Sequence, residues 1–307
     1  MTSLQKLVKI IAIAFAAILA FSIIAFVLAG IAYGIDCFDN NHEERKLSSF
    51  FGWEGKRIDI DETFDNEKLA GDPVEQITIA CGAEIHIKKG EVLHVLAQNV
   101  PEDYRVSYSK GTLLVEDDNN NRVEFFSSNK AVVTVEVPSD IYLNKIRIQS
   151  GSGKVFLDDV EGKDLILDSG SGRIVANRVN VEQTDIDSGS GRVEFNDSNL
   201  GKLSCDSGSG RITMNRVSSY DVIMESGSGS VVYKGDMKGR CNIRSGSGSI
   251  SFTLNGEKDN YRIRVDKGSG SFKVDGVSKK DGEFGNEIDG VLLVNSGSGS
   301  VKINFVK

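Results

Sequence analysis

Basic side chains recur at a fixed spacing in the second half of the chain. Each follows a Gly-Ser-Gly tripeptide, and successive copies are separated by steps of equal length. The basic residues are Lys154, Arg173, Arg192 and Arg211. Guanidinium and ammonium groups are donors suited to carboxylate and phosphate oxygens. Because the spacing is constant, these residues could form a strip that binds a polymer with regularly spaced carboxylate or phosphate groups.

Acidic residues recur on the other side of the same tripeptide. Asp168, Asp187 and Asp206 each stand two positions before the first glycine of a copy. If equivalent residues stack about 4.8 Å apart, like charges repel by about 1 kcal/mol even in water. Acidic and basic columns lying side by side would offset that repulsion. A surface charge lattice that supports solubility is therefore the simpler interpretation, and the binding strip is the alternative.

Other chemistries find little support in the sequence. Calcium-binding nonapeptide repeats need Gly-Gly-x-Gly-x-Asp, whereas here Lys, Arg or Ser follows the second glycine. The three histidines and four cysteines show no zinc-site spacing. The Ser-Gly-Ser-Gly segments lie between strand-like segments, so they are neither nucleophile elbows nor phosphate loops. We therefore expect no metal, no cofactor and no catalytic residue.

The tripeptide itself marks a repeat architecture. Five successive steps between copies are identical in length, and only the last two steps are longer. Apolar residues alternate with polar ones on both sides of each copy, which predicts strands rather than helices. The first glycines of the copies are Gly151, Gly170, Gly189, Gly208, Gly227, Gly246, Gly268 and Gly297. This pattern predicts an all-β parallel solenoid with about 19 residues per coil, its last two coils carrying insertions of about 3 and about 10 residues. Each strand is expected to pair in parallel and in register with its equivalent in the next coil.

The glycines are expected to be structural corners. The apolar parity changes across each tripeptide, and glycine permits the positive φ or the close backbone contact that a corner needs. Stacked inward serines are expected to hydrogen-bond in a ladder. The general preference in crossover connections predicts a right-handed β-helix. Cys205 and Cys241 fall in apolar columns and lie two coils apart, which is about 9.6 Å along the axis. This separation is too large for a disulfide, so we expect both to be inert core thiols.

The N-terminal segment predicts a membrane anchor. Residues 10–35 contain no charged residue, and this length is enough for one transmembrane helix. Lys6 and Lys9 precede this segment, so the positive-inside rule places residues 1–9 in the cytoplasm and the remainder outside the cell membrane. Cleavage near the small-x-small triplet 30–32 is the alternative. We interpret 36–56 as a linker, 57–137 as irregular N-terminal β cap coils and 138–307 as the regular solenoid.

Charge narrows the expected partners. The net charge is −8, and the chain beyond the apolar N-terminal segment is more acidic than basic. A surface of this sign disfavours nucleic acid. The polar insertion at 275–290 is the longest in the array, and solenoid insertions often carry binding sites; a tolerated loop is the simpler interpretation.

The segment VEVPSDIYLNKIRIQSGSGKVFLDDVEGKDLILDSGSGRI resembles a family of bacterial candidate adhesins with β-strand repeats and unknown function, including head-GIN-like β-helices. Val137, Pro138, the approach to Ile146 and Ile148, and the recurrent Ser-Gly-Ser-Gly carry the resemblance, which extends over about residues 75–307. It implies an extracytoplasmic β-helical domain and no catalytic residues. The chain lacks a terminal cell-wall sorting motif, which argues against covalent display.

These observations predict a membrane-anchored, extracytoplasmic binding module that attaches to a cell-surface glycan or to an envelope protein. The alternative is a regulatory or assembly partner of other membrane proteins in an envelope-stress or transport system. A glycan-active β-helix enzyme is the most remote alternative, because the acidic residues repeat with the coil as structural positions do.

Overall fold

The computed structural model describes residues 56–65, 69, 72–117, 131–280 and 282–306. The predicted cytoplasmic N-terminus, transmembrane helix and nearly all of the predicted linker lie outside these residues. Within the described ranges, no helix has the length and apolar character that crossing a membrane requires.

The described chain is built almost entirely from strands, with a single turn of 3₁₀-helix, η1 (Lys258–Asn260). The strands in chain order are β1 (Arg57–Phe64), β2 (Gln76–Ala80), β3 (Glu84–Gly90), β4 (Leu93–Pro101), β5 (Tyr104–Ser109), β6 (Thr112–Asp117), β7 (Val132–Pro138), β8 (Leu143–Ser150), β9 (Lys154–Asp158), β10 (Glu161–Ser169), β11 (Arg173–Asn177), β12 (Asn180–Ser188), β13 (Arg192–Asn196), β14 (Asn199–Ser207), β15 (Arg211–Ser226), β16 (Ser230–Ser245), β17 (Ser249–Asn255), β18 (Tyr261–Lys267), β19 (Phe272–Val274), β20 (Val277–Ser278), β21 (Gly282–Phe284), β22 (Gly290–Ser296) and β23 (Val301–Val306).

A regular coil consists of two strand segments joined by a Ser-Gly-Ser-Gly corner. Equivalent strands of successive coils pair in parallel and in register, as Leu165 pairs with Thr184 and Thr184 with Leu203. Alternate side chains enter the core, so Val193 and Phe195 of β13 are both fully buried. The predicted all-β parallel solenoid is therefore confirmed.

The coils do not stack in sequence order at the C-terminal end. Strand β22 pairs with β16 on one edge and with β18 on the other, and β23 lies between β17 and β19 in the same way. The last coil is thus inserted between its two predecessors, and the expectation that each coil pairs with the next is wrong here. The insertion around 256–260 leads the chain to β18, one level beyond the position next to β16. The insertion at 275–290 then returns the chain to β22, which fills the level between β16 and β18.

The N-terminal end also has a coil that lies out of sequence order, and we call such coils exchanged coils. Strands β2 and β3 form a coil that lies between the β6–β7 coil and the β8–β9 coil. Antiparallel strands then flank both ends of the solenoid. Strand β4 pairs with β1 and β7, β5 pairs with β6, and the short strands β20 and β21 pair with β19 and β18.

The mainly apolar core contains a column of serines beside the corners. Its members are buried, and their hydroxyl oxygens have no hydrogen-bond partner among the described residues: Ser150, Ser169, Ser188, Ser207, Ser226, Ser245 and Ser296. The predicted serine ladder is therefore wrong. The coil spacing of about 4.8 Å exceeds the reach of a direct hydrogen bond between equivalent side chains.

The cysteines agree with the prediction from register. Cys205 and Cys241 are buried and free, as is Cys81. Burial raises the pKa of the Cys241 thiol to about 11, and it raises that of Cys205 further. A thiol that stays protonated is a poor nucleophile, so these cysteines act as small core residues.

Candidate functional site

The predicted corner glycines lie where two backbones approach closely. A Cβ atom on Gly170 or Gly189 would lie 2.7 or 2.6 Å from the carbonyl oxygen of the equivalent glycine in the preceding coil. None of the eight first glycines has a positive φ, so close contact rather than left-handed backbone is the reason for glycine. Gly151 differs, because a Cβ there would have no atom within 4 Å.

The second glycine of each corner, which the sequence prediction did not single out, is more crowded still. A Cβ on Gly191 would overlap the carbonyl oxygen of Gly172, and Gly248 stands in the same relation to Gly229. The buried serine hydroxyl also packs here, with Ser207 Oγ 3.1 Å from the Cβ position of Gly210. The tight stacking of corners leaves a continuous surface of serine and glycine.

This surface is the floor of a groove of about 980 Å³ that runs along the corners of seven coils. The groove is lined by the second serine and second glycine of most corners, together with the residue that follows. All the predicted strip residues line it: Lys154, Arg173, Arg192 and Arg211. The strand register stacks them directly, one per coil. In the next three levels, Ser230, Ser249 and Ser300 take their place.

The cations of the groove differ in their partners. Lys154 lies at the end of the row, and its Nζ is 3.1 Å from Glu84 Oε2. Partial burial opposes ionisation of Glu84, but hydrogen bonds from Lys154 and His86 outweigh it and lower the pKa of that carboxyl group. Within the described residues, the guanidinium groups of Arg173, Arg192 and Arg211 form no ion pair or hydrogen bond.

The acidic column lies beside the other arm of the corner. Asp168, Asp187 and Asp206 stack in register along β10, β12 and β14. They do not pair with the arginines, so the predicted mutual compensation of the two columns is not formed. Instead, loss of hydration and the charges of Asp168 and Asp206 raise the pKa of Asp187.

Asp187→Asn is expected to stabilise the fold at neutral pH. A raised carboxyl pKa means that the ionised form of Asp187 destabilises the folded state. This destabilisation is absent at pH values below the pKa of the group in the unfolded chain, and it is complete at pH values above its pKa in the folded chain. The gain in unfolding free energy should be a few tenths of a kcal/mol at pH 7, because the group is exposed, and should disappear near pH 3. Denaturant unfolding at both pH values measures it, with Asp140→Asn as the control for charge alone. A gain of the same size at both pH values would contradict the repulsion.

Charge compensation occurs at a second corner, which the sequence prediction missed. Asp159, Arg178, Asp197 and Arg216 have positive φ values, and each arginine binds the aspartate of the preceding coil through two hydrogen bonds. Beside them, the amide of Asn196 donates to Asn177 over 3.1 Å. The signal was present in the sequence, since these four residues recur at the same spacing as the glycine corners.

The 275–290 insertion closes the C-terminal end of the array. Its strands β20 and β21 pair with the outermost coil, and Arg262 forms ion pairs with Glu283 and Glu287 at 3.5 and 3.2 Å. In the described part of the chain, no cluster of three or more His, Cys, Asp or Glu residues is placed to hold a metal ion.

The fold and the serine-glycine corners define a β-solenoid of stacked, in-register coils with an open groove. The chain belongs to the Toastrack family DUF4097, whose model matches residues 74–304. No curated protein matches the chain.

Solved structures similar to this chain come from several bacteria. A candidate adhesin of Bacteroides fragilis is 14% identical with a TM-score of 0.45, covering 81% of this chain and 98% of its own. A candidate lipid-binding protein of Parabacteroides distasonis is 19% identical with a TM-score of 0.45, covering 83% and 98%. A candidate cell adhesion protein of Clostridium sporogenes is 14% identical with a TM-score of 0.31, covering 82% and 100%.

Proposed function

We propose that this protein is a non-catalytic binding module of the cell surface that holds a linear polyanion in the groove along its corners. In this proposal, residues 10–35 anchor the chain in the cell membrane, with the N-terminus in the cytoplasm and the solenoid outside. The observation that carries the proposal is the column of Arg173, Arg192 and Arg211, whose guanidinium groups lie in one groove without a counter-charge among the described residues.

The electrostatics of this column favour an anionic ligand. Cations stacked about 4.8 Å apart repel one another, and none of the described carboxylates relieves the three arginines. An anion bound between neighbouring guanidinium groups would remove that repulsion and gain charge-assisted hydrogen bonds. The acidic column beside the other arm of the corner would discourage a polyanion from binding across it, which confines the ligand to the groove.

The shape of the groove favours a linear chain over a compact ligand. It is shallow and long, and it presents one cation per coil over four successive coils. Beyond Arg211, the same row continues as serine hydroxyls, which can hydrogen-bond to neutral parts of the chain. Because the strands are held on both edges, the backbone positions that carry the cations are fixed before binding, so no backbone entropy is lost there on binding.

Replacement of Arg173, Arg192 and Arg211 by glutamine is expected to weaken polyanion binding by about a hundredfold or more, since three charge-assisted contacts are lost. The salt dependence of the affinity should fall as well, because fewer counterions are released. Calorimetric titration of the full-length chain with polygalacturonate and with poly(glycerol phosphate) measures both effects. The two polymers distinguish a carboxylate ligand from a phosphate ligand, and dextran serves as the neutral polymer.

The matched control replaces Lys202, Arg240 and Arg264 by glutamine. These residues are exposed and lie outside the groove, and their replacement removes the same amount of charge. It should bind either polyanion within about twofold of the original chain, as expected for rim charges remote from a binding site. Equal losses in the two triple variants would show attraction by overall charge rather than a site. Absence of binding to both polymers would overturn the proposal.

A further inference from the structure

A second groove, of about 400 Å³, lies on a different part of the solenoid surface. Its lining is Tyr142, Gly162, Asn180, Val181, Glu182, Asn199, Gly201 and Tyr220. None of these residues lines the basic groove. The two tyrosines are 51% and 47% exposed, so both rings are accessible to a ligand.

The strand register spaces the two tyrosines along the solenoid axis. Tyr142 immediately precedes β8, and Tyr220 lies in β15, four coils further along the stack β8–β10–β12–β14–β15. At about 4.8 Å per coil, the two backbones are separated by about 19 Å along the axis. The Tyr142 hydroxyl donates to Glu182 Oε1 over 2.9 Å, two coils away, so its ring extends along the axis past the level of Gly162.

Two glycines line the groove between the tyrosines. Gly162 and Gly201 are buried, and a Cβ on Gly162 would lie 2.6 Å from the carbonyl oxygen of Leu143. Gly201 has a φ of 56°, in the left-handed region that favours glycine. Close backbone packing at Gly162 and the backbone conformation at Gly201 therefore explain why glycine stands at these positions.

Polar groups of the groove are only partly used within the protein. Asn199 donates to Asn180 Oδ1 over 3.0 Å, and its own oxygen accepts from Ser218 and from the Gly201 N–H. The Asn180 amide group and the second oxygen of Glu182 form no hydrogen bond with any described side chain. These two residues alternate with buried Val181, so both side chains lie on the outer face of β12. An amide donor beside a carboxylate acceptor suits neighbouring hydroxyl groups, each of which donates and accepts.

The surrounding charge disfavours an anionic ligand. The pKa of Tyr142 is raised by loss of hydration, by its hydrogen bond to Glu182 and by the charges of Glu182, Asp164 and Glu161. A single small cation is also a poor fit, because an aromatic cage needs several rings around one centre, whereas Tyr142 and Tyr220 belong to coils four levels apart. What remains is an elongated, uncharged ligand that combines apolar faces with many hydroxyl groups.

We infer that the groove between Tyr142 and Tyr220 is a binding site for an uncharged oligosaccharide. The flat C–H faces of pyranose rings pack on the tyrosine rings, as apolar groups do on exposed aromatic side chains. Their hydroxyl groups pair with Asn180 and Glu182. This site goes beyond the proposed polyanion function and does not depend on it, since the two grooves share no residue.

The test uses the full-length chain in a detergent without sugar headgroups. Cellotetraose, chitotetraose, maltotetraose and mannotetraose are the probes, with saturation-transfer NMR to detect contact and calorimetry to measure affinity. At least one should bind with a Kd of about 1 mM or tighter. Tyr142→Ala and Tyr220→Ala should each weaken it by about tenfold, as removal of an aromatic anchor does. Tyr142→Phe keeps the ring and should lose much less.

Two controls make the result decisive. Ile288→Ala removes an exposed apolar side chain outside the groove and should leave the affinity unchanged. The triple arginine-to-glutamine variant of the basic groove should also bind the tetrasaccharide normally. Absence of binding by all four probes, or binding that survives both tyrosine replacements, would overturn the inference. Binding lost only in the arginine variant would assign the sugar to the other groove and would equally overturn it.

Discussion

Gly191→Ala is expected to lower the free energy of unfolding by at least about 3 kcal/mol, the upper end of the usual cost of overpacking. The added methyl group would overlap the carbonyl oxygen of Gly172, which is backbone and has no alternative rotamer. The clash cannot be relieved locally, because β13 is hydrogen-bonded to β11 on one edge and to β15 on the other. Moving the corner outwards would strain both neighbouring ladders.

The matched control for this substitution is Gly151→Ala. It belongs to the same repeat, yet its Cβ would have no atom within 4 Å and its φ is not positive. Alanine should therefore be neutral there, or stabilise by up to about 1 kcal/mol by restricting the unfolded chain. Thermal unfolding followed by far-ultraviolet circular dichroism compares the two variants. Equal midpoints would show that backbone crowding does not explain the recurrent glycine.

Termination of the chain after Phe284 is expected to have an effect far larger than the loss of one end coil. The deletion removes β22 and β23, which lie between the β16–β17 coil and the β18–β19 coil. The outermost coil then loses its parallel partners and keeps only the short strands β20 and β21. We expect the backbone amides of β18 to lose their protection, because hydrogen bonding and burial of that strand depend on β22.

Hydrogen exchange measured by mass spectrometry tests this expectation, with β12 and β13 in the middle of the array as the internal reference. The reference strands should stay protected, while residues 261–274 exchange at rates close to those of an unfolded chain. Continued protection of β18 in the shortened protein would contradict the prediction. It would mean that this coil re-pairs directly with β16, as simple sequence order would have it.

The sequence predicts the repeating part of this fold well because one period governs both packing and register. The constant repeat spacing is sufficient to stack Lys154 on Arg173 and Leu165 on Thr184, and the structure shows both pairs. It does not predict the exchanged coils, because β18 and β22 carry the same apolar pattern and either could lie next to β16. The insertions in the last two coils are the only sequence signal of this rearrangement. They indicate that the chain leaves the regular stacking, but they do not indicate which level it moves to.

The candidate sites divide in the same way. The basic groove could be predicted because its cations repeat. Tyr142 and Tyr220 lie outside the repeat pattern, and only the folded chain shows that they line the same groove. The serine ladder fails for a geometric reason, since equal spacing of coils fixes equivalent hydroxyls too far apart. The role of Gly191 does not follow from the sequence, because the change of apolar parity marks a corner without showing which of its two glycines lies closer to the neighbouring backbone.

The exchanged coils also determine how the domain would respond to mechanical load. In a simple solenoid the last strand is an edge, so a pull along it shears only one ladder. Here β23 is bonded in parallel to β17 and to β19, so a pull along it must shear two ladders together. The domain should therefore resist extraction at the last coil of its sequence, and give way first at a strand that is held on one side only.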